Sequence, residues 1–285
     1  MWSKIKIESL GFVLFISLAV LPLIGGLSYA LLYSLGIIGA IADGFTLQYW
    51  VQVLASSEIF YSFAYSFYIA IISILLSVSG AFGLLFIFKE APNKSLPTYA
   101  LYLPLAIPAI VSALLIYQFL GKGGYFSSLF FQLGVTDSIQ QFPDLINDTY
   151  GIGIIAAHVL LATPFFTILF LNIYKNERIA ELSQLAVTIG SNASHYIRRV
   201  VVPLILKKST PTIILYFIFV LGSYEIPLLL GQQSPQMVSV LAIRKLRRFN
   251  LQDIPEAYII ALLYVTLVLC FVLYLFKKRR LAHDL

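Results

Sequence analysis

The sequence predicts an all-α membrane protein with six transmembrane helices. Three observations carry this: 60% of the 285 residues are hydrophobic, only 11% are charged, and the mean hydropathy is +0.90. Soluble domains carry roughly 25% charged residues, so this chain has too few to cover a globule in water. No polar stretch is long enough to bury a core of its own. Residues 1–285 therefore read as a single transmembrane domain.

Crossing the ~30 Å hydrocarbon core takes ~20 apolar residues in a helix. Six segments qualify, at about 9–35, 60–88, 99–120, 151–174, 210–231 and 256–276. The first is too long for the apolar region of a signal peptide and reads as an uncleaved span. Pro22, Gly25 and Gly26 lie in the first span, Pro104 and Pro108 in the third, Pro164 in the fourth and Pro227 in the fifth. Membrane helices tolerate such residues where neighbours or water satisfy the freed backbone groups. Two connecting segments are more than loops. Residues 42–58 mix polar groups with Tyr49 and Trp50, which suit the headgroup belt. Residues 123–135 read as a short surface helix bounded by glycines.

Lysine and arginine set the orientation. Alternate sides divide the 19 basic residues into fourteen and five. The larger set includes Lys4, Lys6, Lys89, Lys94, a dense group over 175–209 and the run Lys277–Arg280; both termini are therefore expected in the cytoplasm. The net charge of +6 is a topology signal and no argument for nucleic acid. Four basic residues run against the pattern: Arg244, Lys245, Arg247 and Arg248, in the segment Ser239–Phe249, which reads as an amphipathic interfacial helix. Three readings stay open for them: attraction to anionic lipid headgroups, docking of an acidic external partner, and contact with an anionic substrate.

Chemistry of its own is not expected from this chain. It has no phosphate-cradling G-x-x-x-x-G-K-[ST] loop and no H-E-x-x-H. His158, His195 and His283 are far apart in sequence, and the single cysteine, Cys270, supports neither a disulfide nor a metal site. His158 lies within the fourth span, as a hydrogen-bonded structural residue or a proton relay. Glu225 lies about fifteen residues into the fifth span, roughly 21–24 Å from its cytoplasmic end. A carboxylate at that depth costs at least ~2.5 kcal/mol and needs a partner or a wet cavity. Together with Ser223, Tyr224 and the helix-bending Pro227 it marks a candidate translocation path or gate.

The polar segment 175–209 is the most specific feature. Ile179, Leu182, Leu185, Ala186 and Ile189 recur at three- and four-residue spacing and form one apolar helical face over Lys175–Gly190. Gly190 suits a helix end, and Ser191 or Asn192 can cap a second helix at about 193–202. Pro203 then marks re-entry into the membrane. A helix–turn–helix with an apolar face either packs on the membrane and on this protein's own helix ends, or takes a partner.

The spacing Gln184–Leu185–Ala186, Gly190, Val200, Val202, Pro203 resembles the E-A-A-x3-G-x9-I-x-L-P signature of permease subunits of binding-protein-dependent ABC importers. Gln184 stands in place of the family's glutamate, Leu185 of an alanine and Val202 of a leucine. Leu103–Pro108, Ala156–Phe165 and Gly222–Gly231 are similar to other stretches of the family, the last to the branch with spermidine/putrescine, iron and thiamine permeases. The resemblance covers about 55–277. It implies a bacterial inner-membrane subunit that is not an enzyme and forms half of a solute pathway. It implies coupling through Glu181, Gln184, Leu185, Ala186, Gly190, Arg198, Arg199 and Pro203 to ABC ATPase subunits, which would bind ATP and Mg. A second permease subunit, identical or different, and an external solute-binding protein are the further implied partners beside membrane lipids. A polyamine or another small solute is the implied substrate class. The rival reading is an ion-driven secondary transporter, a class that commonly shows internal repeats and several intramembrane charges; neither is evident here.

Overall fold

A computed structural model describes residues 10–40, 44–89, 99–182 and 192–281. Helices are the regular structure here, with no strand among the described residues. The main helices are α1 (Leu10–Ser34), α2 (Gln48–Ala55), α3 (Ser57–Phe88), α4 (Ala109–Leu120), α5 (Tyr125–Gln132), α6 (Ile152–Asn176), α7 (Ser194–Leu221), α8 (Glu225–Leu230), α9 (Val238–Leu246) and α10 (Asp253–Leu281). Six helical stretches among the described residues are long and apolar enough to cross a membrane. The short helix expected at 123–135 is α5, capped by Gly124 and followed by left-handed Gly134.

Two expected spans are displaced, each for a reason of backbone chemistry. The third was placed at 99–120, but its helix begins only at Ala109. Pro104 opens a 3-10 turn over Pro104–Ala106, and Ile107 is extended ahead of Pro108, as residues before proline prefer. The fifth was placed at 210–231, with a separate helix before it. Instead the chain is helical from Ala193 to Leu221 without a break, and Pro203 does not mark a boundary. A π turn over Ile197–Val201 closes through Val202 N–H to the Ile197 carbonyl. The widened turn accommodates the proline that follows, which lacks a donor. α1 repeats the device, with a π turn over Ile16–Val20 just ahead of Pro22.

The chain divides into two compact units, residues 1–61 with 238–285, and residues 62–237. In the first, α1, α2 and α9 all pack on α10. Tyr29 and Tyr33 of α1 meet Tyr258 of α10 with ring centroids 5.9 and 4.9 Å apart. Trp50 of α2 donates its indole N–H to Ser34 Oγ at 3.2 Å. The basic helix α9 is held by carboxylates: Arg244 pairs with Glu58, Lys245 with Glu256 at 2.5 Å, and Arg248 with Asp253 at 3.4 Å. Three of the four cations read from the sequence as available to headgroups or partners thus have acidic partners within the chain. Those acids open α3 and α10, where the helix dipole also favours negative charge.

The second unit is built around α6. More than half of its apolar window is buried, against 22–28% for α3, α4–α5 and α7. Phe165 and Phe166 pack on Tyr216 of α7, with centroids 5.4 and 5.3 Å apart, and Phe170 meets Phe82 of α3 at 4.6 Å. Asp148 starts α6 by accepting the N–H groups of Tyr150 and Ile152. The turn between them needs Gly151, whose φ is +65° and whose missing side chain makes room for Tyr65 and Ile69 of α3.

Two predictions follow from this packing. Gly151→Ala places a Cβ 2.6 Å from Tyr65 Oη in a left-handed backbone and is expected to cost about 2 kcal/mol, read as a lowered unfolding midpoint in detergent. Glu256→Gln leaves Lys245, with a side chain only 9% exposed, without its counter-charge; a loss of about 3 kcal/mol is expected. The double variant Lys245→Met with Glu256→Leu should recover most of that loss in a double-mutant cycle, and an additive cycle would show that the pair carries no coupling.

Candidate functional site

The segment after α6 is built in three steps. α6 ends at Asn176, and the chain turns through Glu177 and Arg178, a non-glycine residue with φ +49°. A new helical turn then begins at Ile179. The single helix expected from Lys175 to Gly190 is therefore broken two residues after α6, at a turn that no glycine or proline announces. Ile179 is completely buried, and Tyr196 donates its hydroxyl to the Ile179 carbonyl at 2.7 Å. Glu177 pairs with Lys208 at 3.0 Å. The two arms of the segment are thus tied together near their bases. Sequence periodicity marked Ile179 as apolar but gave no sign of Tyr196 as its fastener.

Part of the apolar face is consumed inside the chain by Ile179, while Leu182 stays 39% exposed. Glu181 is exposed and lies 3.9 Å from Arg178. The predicted contacts Gln184, Leu185, Ala186 and Gly190 fall outside the described residues. Asn192 caps the next helix, accepting the Ser194 N–H on its side chain. Arg198 and Arg199 are exposed on the π turn, and Pro203 is exposed just beyond it.

The second candidate cluster is a helix break. α7 stops at Leu221, Gly222 and Ser223 form a turn, and Glu225 is the first residue of α8. The break precedes Pro227 rather than resulting from it. Pro227 occupies the first turn of α8, where its missing N–H has no helical acceptor to serve; Leu228 donates to Tyr224. Glu225 is accordingly not an acid inside an unbroken helix. It is exposed at a helix start. α8 packs on α4 and α6 through buried Ile226, Pro227 and Leu230, and Leu230 accepts the Asn147 N–H at 2.9 Å. This fixes the backbone that presents Ser223, Tyr224 and Glu225.

Arg247 and Phe249 stand exposed beyond α9, Phe249 fully so. His158 is completely buried in α6, and neither ring nitrogen has a hydrogen-bond partner among the described residues; the expected structural hydrogen bond is not made among them. Among the described residues no group of three His, Cys, Asp or Glu side chains is arranged to hold a metal ion.

Comparison with known proteins gives this geometry a context. The family described as "Binding-protein-dependent transport system inner membrane component" matches residues 98–279. The thiamine transport system permease protein ThiP of Escherichia coli (strain K12) is 28% identical over 237 residues, covering 81% of this chain and 41% of ThiP. The chain thus spans less than half the length of that relative. Two solved structures share the fold. One is a bacterial ABC transporter involved in the import of the acidic polysaccharide alginate, with a TM-score of 0.73 and 17% identity over 98% of this chain and 95% of that one. The other is a bacterial alginate ABC transporter in complex with an alginate pentasaccharide-bound periplasmic protein, with a TM-score of 0.70 and 18% identity over 96% and 92% of the two chains. The matched stretch begins before α4 and reaches into the last helix, taking in both the tied segment after α6 and the break before Glu225, and the chain belongs to the family of binding-protein-dependent transport system inner membrane components.

Proposed function

We propose that this chain forms one half of the solute pathway of an ABC importer and couples it to ATP hydrolysis by separate ATPase subunits. The observation that carries this reading is the family match across residues 98–279, which encloses the 175–209 segment. ATP and Mg would be bound by the partner ATPase. A second permease subunit would complete the pathway, and an external solute-binding protein would deliver substrate. The excess of basic residues on alternate sides supports cytoplasmic termini, with the 175–209 segment on the cytoplasmic side.

In this reading the ATPase grips the segment through Glu181, Gln184, Leu185, Ala186, Gly190, Arg198 and Arg199. Gln184 offers hydrogen bonds where the family signature has a carboxylate, and exposed Glu181 supplies a charge one turn earlier. The Tyr196–Ile179 bond and the Glu177–Lys208 pair make the arms of the segment move together. Since α7 is continuous from Ser194 to Leu221, a displacement at Arg198 and Arg199 is passed along one helix toward the break at Gly222. Ser223, Tyr224, Glu225 and Pro227 would lie on the path at the far end. A carboxylate there favours a cationic small solute, for instance a polyamine.

Affinity purification of the tagged chain from its native host in mild detergent, with mass spectrometry of what accompanies it, tests the assembly. An ATPase subunit is expected, together with a second permease or a second copy. Recovery of the chain alone, under conditions that keep a known importer intact, would sink the reading. Glu225→Gln is expected to lower solute uptake about tenfold while the subunits still co-purify; full uptake by that variant would remove Glu225 from the path.

A further inference from the structure

Of the four cations in and just after α9, Arg247 alone meets no carboxylate among the described residues. Phe249, two residues on, is fully exposed, and Leu246 and Leu251 to either side are exposed as well. The turn that carries them is built firmly. Arg247 donates its N–H to the Ile243 carbonyl, Asp253 donates its N–H to the Asn250 carbonyl, and the Arg248 side chain pairs with Asp253. The turn is thereby held level with Asp253, the first residue of α10.

α10 shows how deep that level lies. Tyr258 closes a cluster with Tyr29 and Tyr33 of α1, and tyrosines gather at the edge of the hydrocarbon. Further along the same helix, Lys277 opens the basic run that ends it. At 1.5 Å per residue these two levels are about 28 Å apart, which matches the ~30 Å hydrocarbon core. Asp253 then stands about 7 Å outside the core, in a headgroup layer roughly 5–8 Å deep.

α2 lies at the same end of the unit. Its Trp50 donates to Ser34, the last residue of α1, and the chain leaves α2 directly into Glu58, the partner of Arg244. With a length of about 12 Å, α2 is far too short to cross a bilayer. At 100° per residue its circumference divides into three sectors. Val53 is buried, with Tyr49 and Trp50 half-buried beside it. Val51, Leu54 and, at the cap, Leu47 are exposed on one flank, and Gln48 and Gln52 are exposed on the other. A helix with one apolar and one amide flank beside its buried face suits the boundary between acyl chains and water.

The chemistry at this end favours one occupant. A guanidinium offers a planar fork of donors that fits a phosphate, and an exposed phenyl ring next to it suits the headgroup–acyl boundary. An acidic protein or a soluble anion arriving from water would meet Arg247 but leave the flank of α2 without apolar cover. A phospholipid supplies both the phosphate and the acyl chain. We propose that the α2–α9 end of the first unit is a binding surface for anionic phospholipid, with Arg247 on the headgroup phosphate, Phe249 at the headgroup–acyl boundary and Leu47, Val51 and Leu54 against the acyl layer.

Photocrosslinking tests this, with p-benzoylphenylalanine in place of Phe249, Val51 or Gln52. The full chain, with the subunits that co-purify, is placed in nanodiscs of phosphatidylcholine and phosphatidylglycerol at three to one, both with the same acyl chains, and adducts are identified by mass spectrometry. The probe at 249 should take phosphatidylglycerol at least about threefold above its share of the bilayer, since one arginine near an anionic surface is worth about 1 kcal/mol. In the Arg247→Gln background that enrichment should vanish while the total lipid adduct and the elution volume stay unchanged. The probe at 51 should take lipid, and the probe at 52 at least about tenfold less. Adducts to polypeptide at 249 or 51 overturn the assignment by showing that a protein covers this surface. Absence of lipid adducts at 249 places the turn in water and overturns it too. Enrichment that is missing, or that survives Arg247→Gln, overturns the role of Arg247, and equal lipid adducts at 51 and 52 overturn the placement of α2.

Discussion

In a bilayer, no water is at hand to satisfy a backbone or side-chain polar group, and the rest of this structure depends on that constraint. The backbone meets it by remaining helical across each span. Most buried hydroxyls meet it by donating to a carbonyl of the preceding turn, as Ser66, Ser77, Ser112, Thr167 and Ser209 do. Lipid tails are as apolar as leucine, so helices associate through close packing rather than through exclusion of water. Small residues on α3 and α6 allow that approach, and Ala70, Ala81, Ala157 and Ala162 are almost wholly buried. The aromatic residues Phe82, Phe165, Phe166, Phe170 and Tyr216 fill the space that remains.

The same constraint sorts the helices by role. α6 is wrapped by the second unit and sets its frame. It fixes α8, and α8 presents Glu225 beside a break in the backbone. The cations of α9 illustrate the cost of charge near a membrane edge: Arg244, Lys245 and Arg248 each face a carboxylate. A buried pair of this kind is weak evidence for stability, because desolvation offsets much of the attraction. It does define geometry, since each cation has one acid at the start of a particular helix.

Hydropathy located the membrane helices well because a span is a long, one-valued signal. α1, α3 and α6 begin and end within a few residues of the apolar runs. The failures occur where proline interacts with its neighbours. Pro104 and Pro108 lie in a run as apolar as any helix, yet the backbone before Pro108 is extended and α4 starts late. Pro203 reads as a boundary from its type alone, but a π turn absorbs it, and that extra residue also shifts the phase of the apolar stripe. Arg178 takes a left-handed conformation without a glycine to signal it. The segment after α6 was legible by its spacing, and the acid of the second cluster by its rarity. The ion partners of α9 were not, because Glu58 is far from Arg244 in sequence and only the fold unites them.

α1 has a different standing from the other spans. It averages a hydropathy of 2.4, and none of its most apolar window is buried by the chain. It precedes α2 to α10, so it reaches the membrane before α10, the helix it packs on, has been made. Its composition means that it needs nothing, for each residue from Leu10 to Ile24 can be solvated by acyl chains alone. α6, which carries His158 and relies on α3 and α7 for cover, cannot be lodged in lipid on those terms. The order of these elements therefore doubles as an order of assembly, with the self-sufficient α1 ahead of α3 and α4, and the dependent α6 arriving after them.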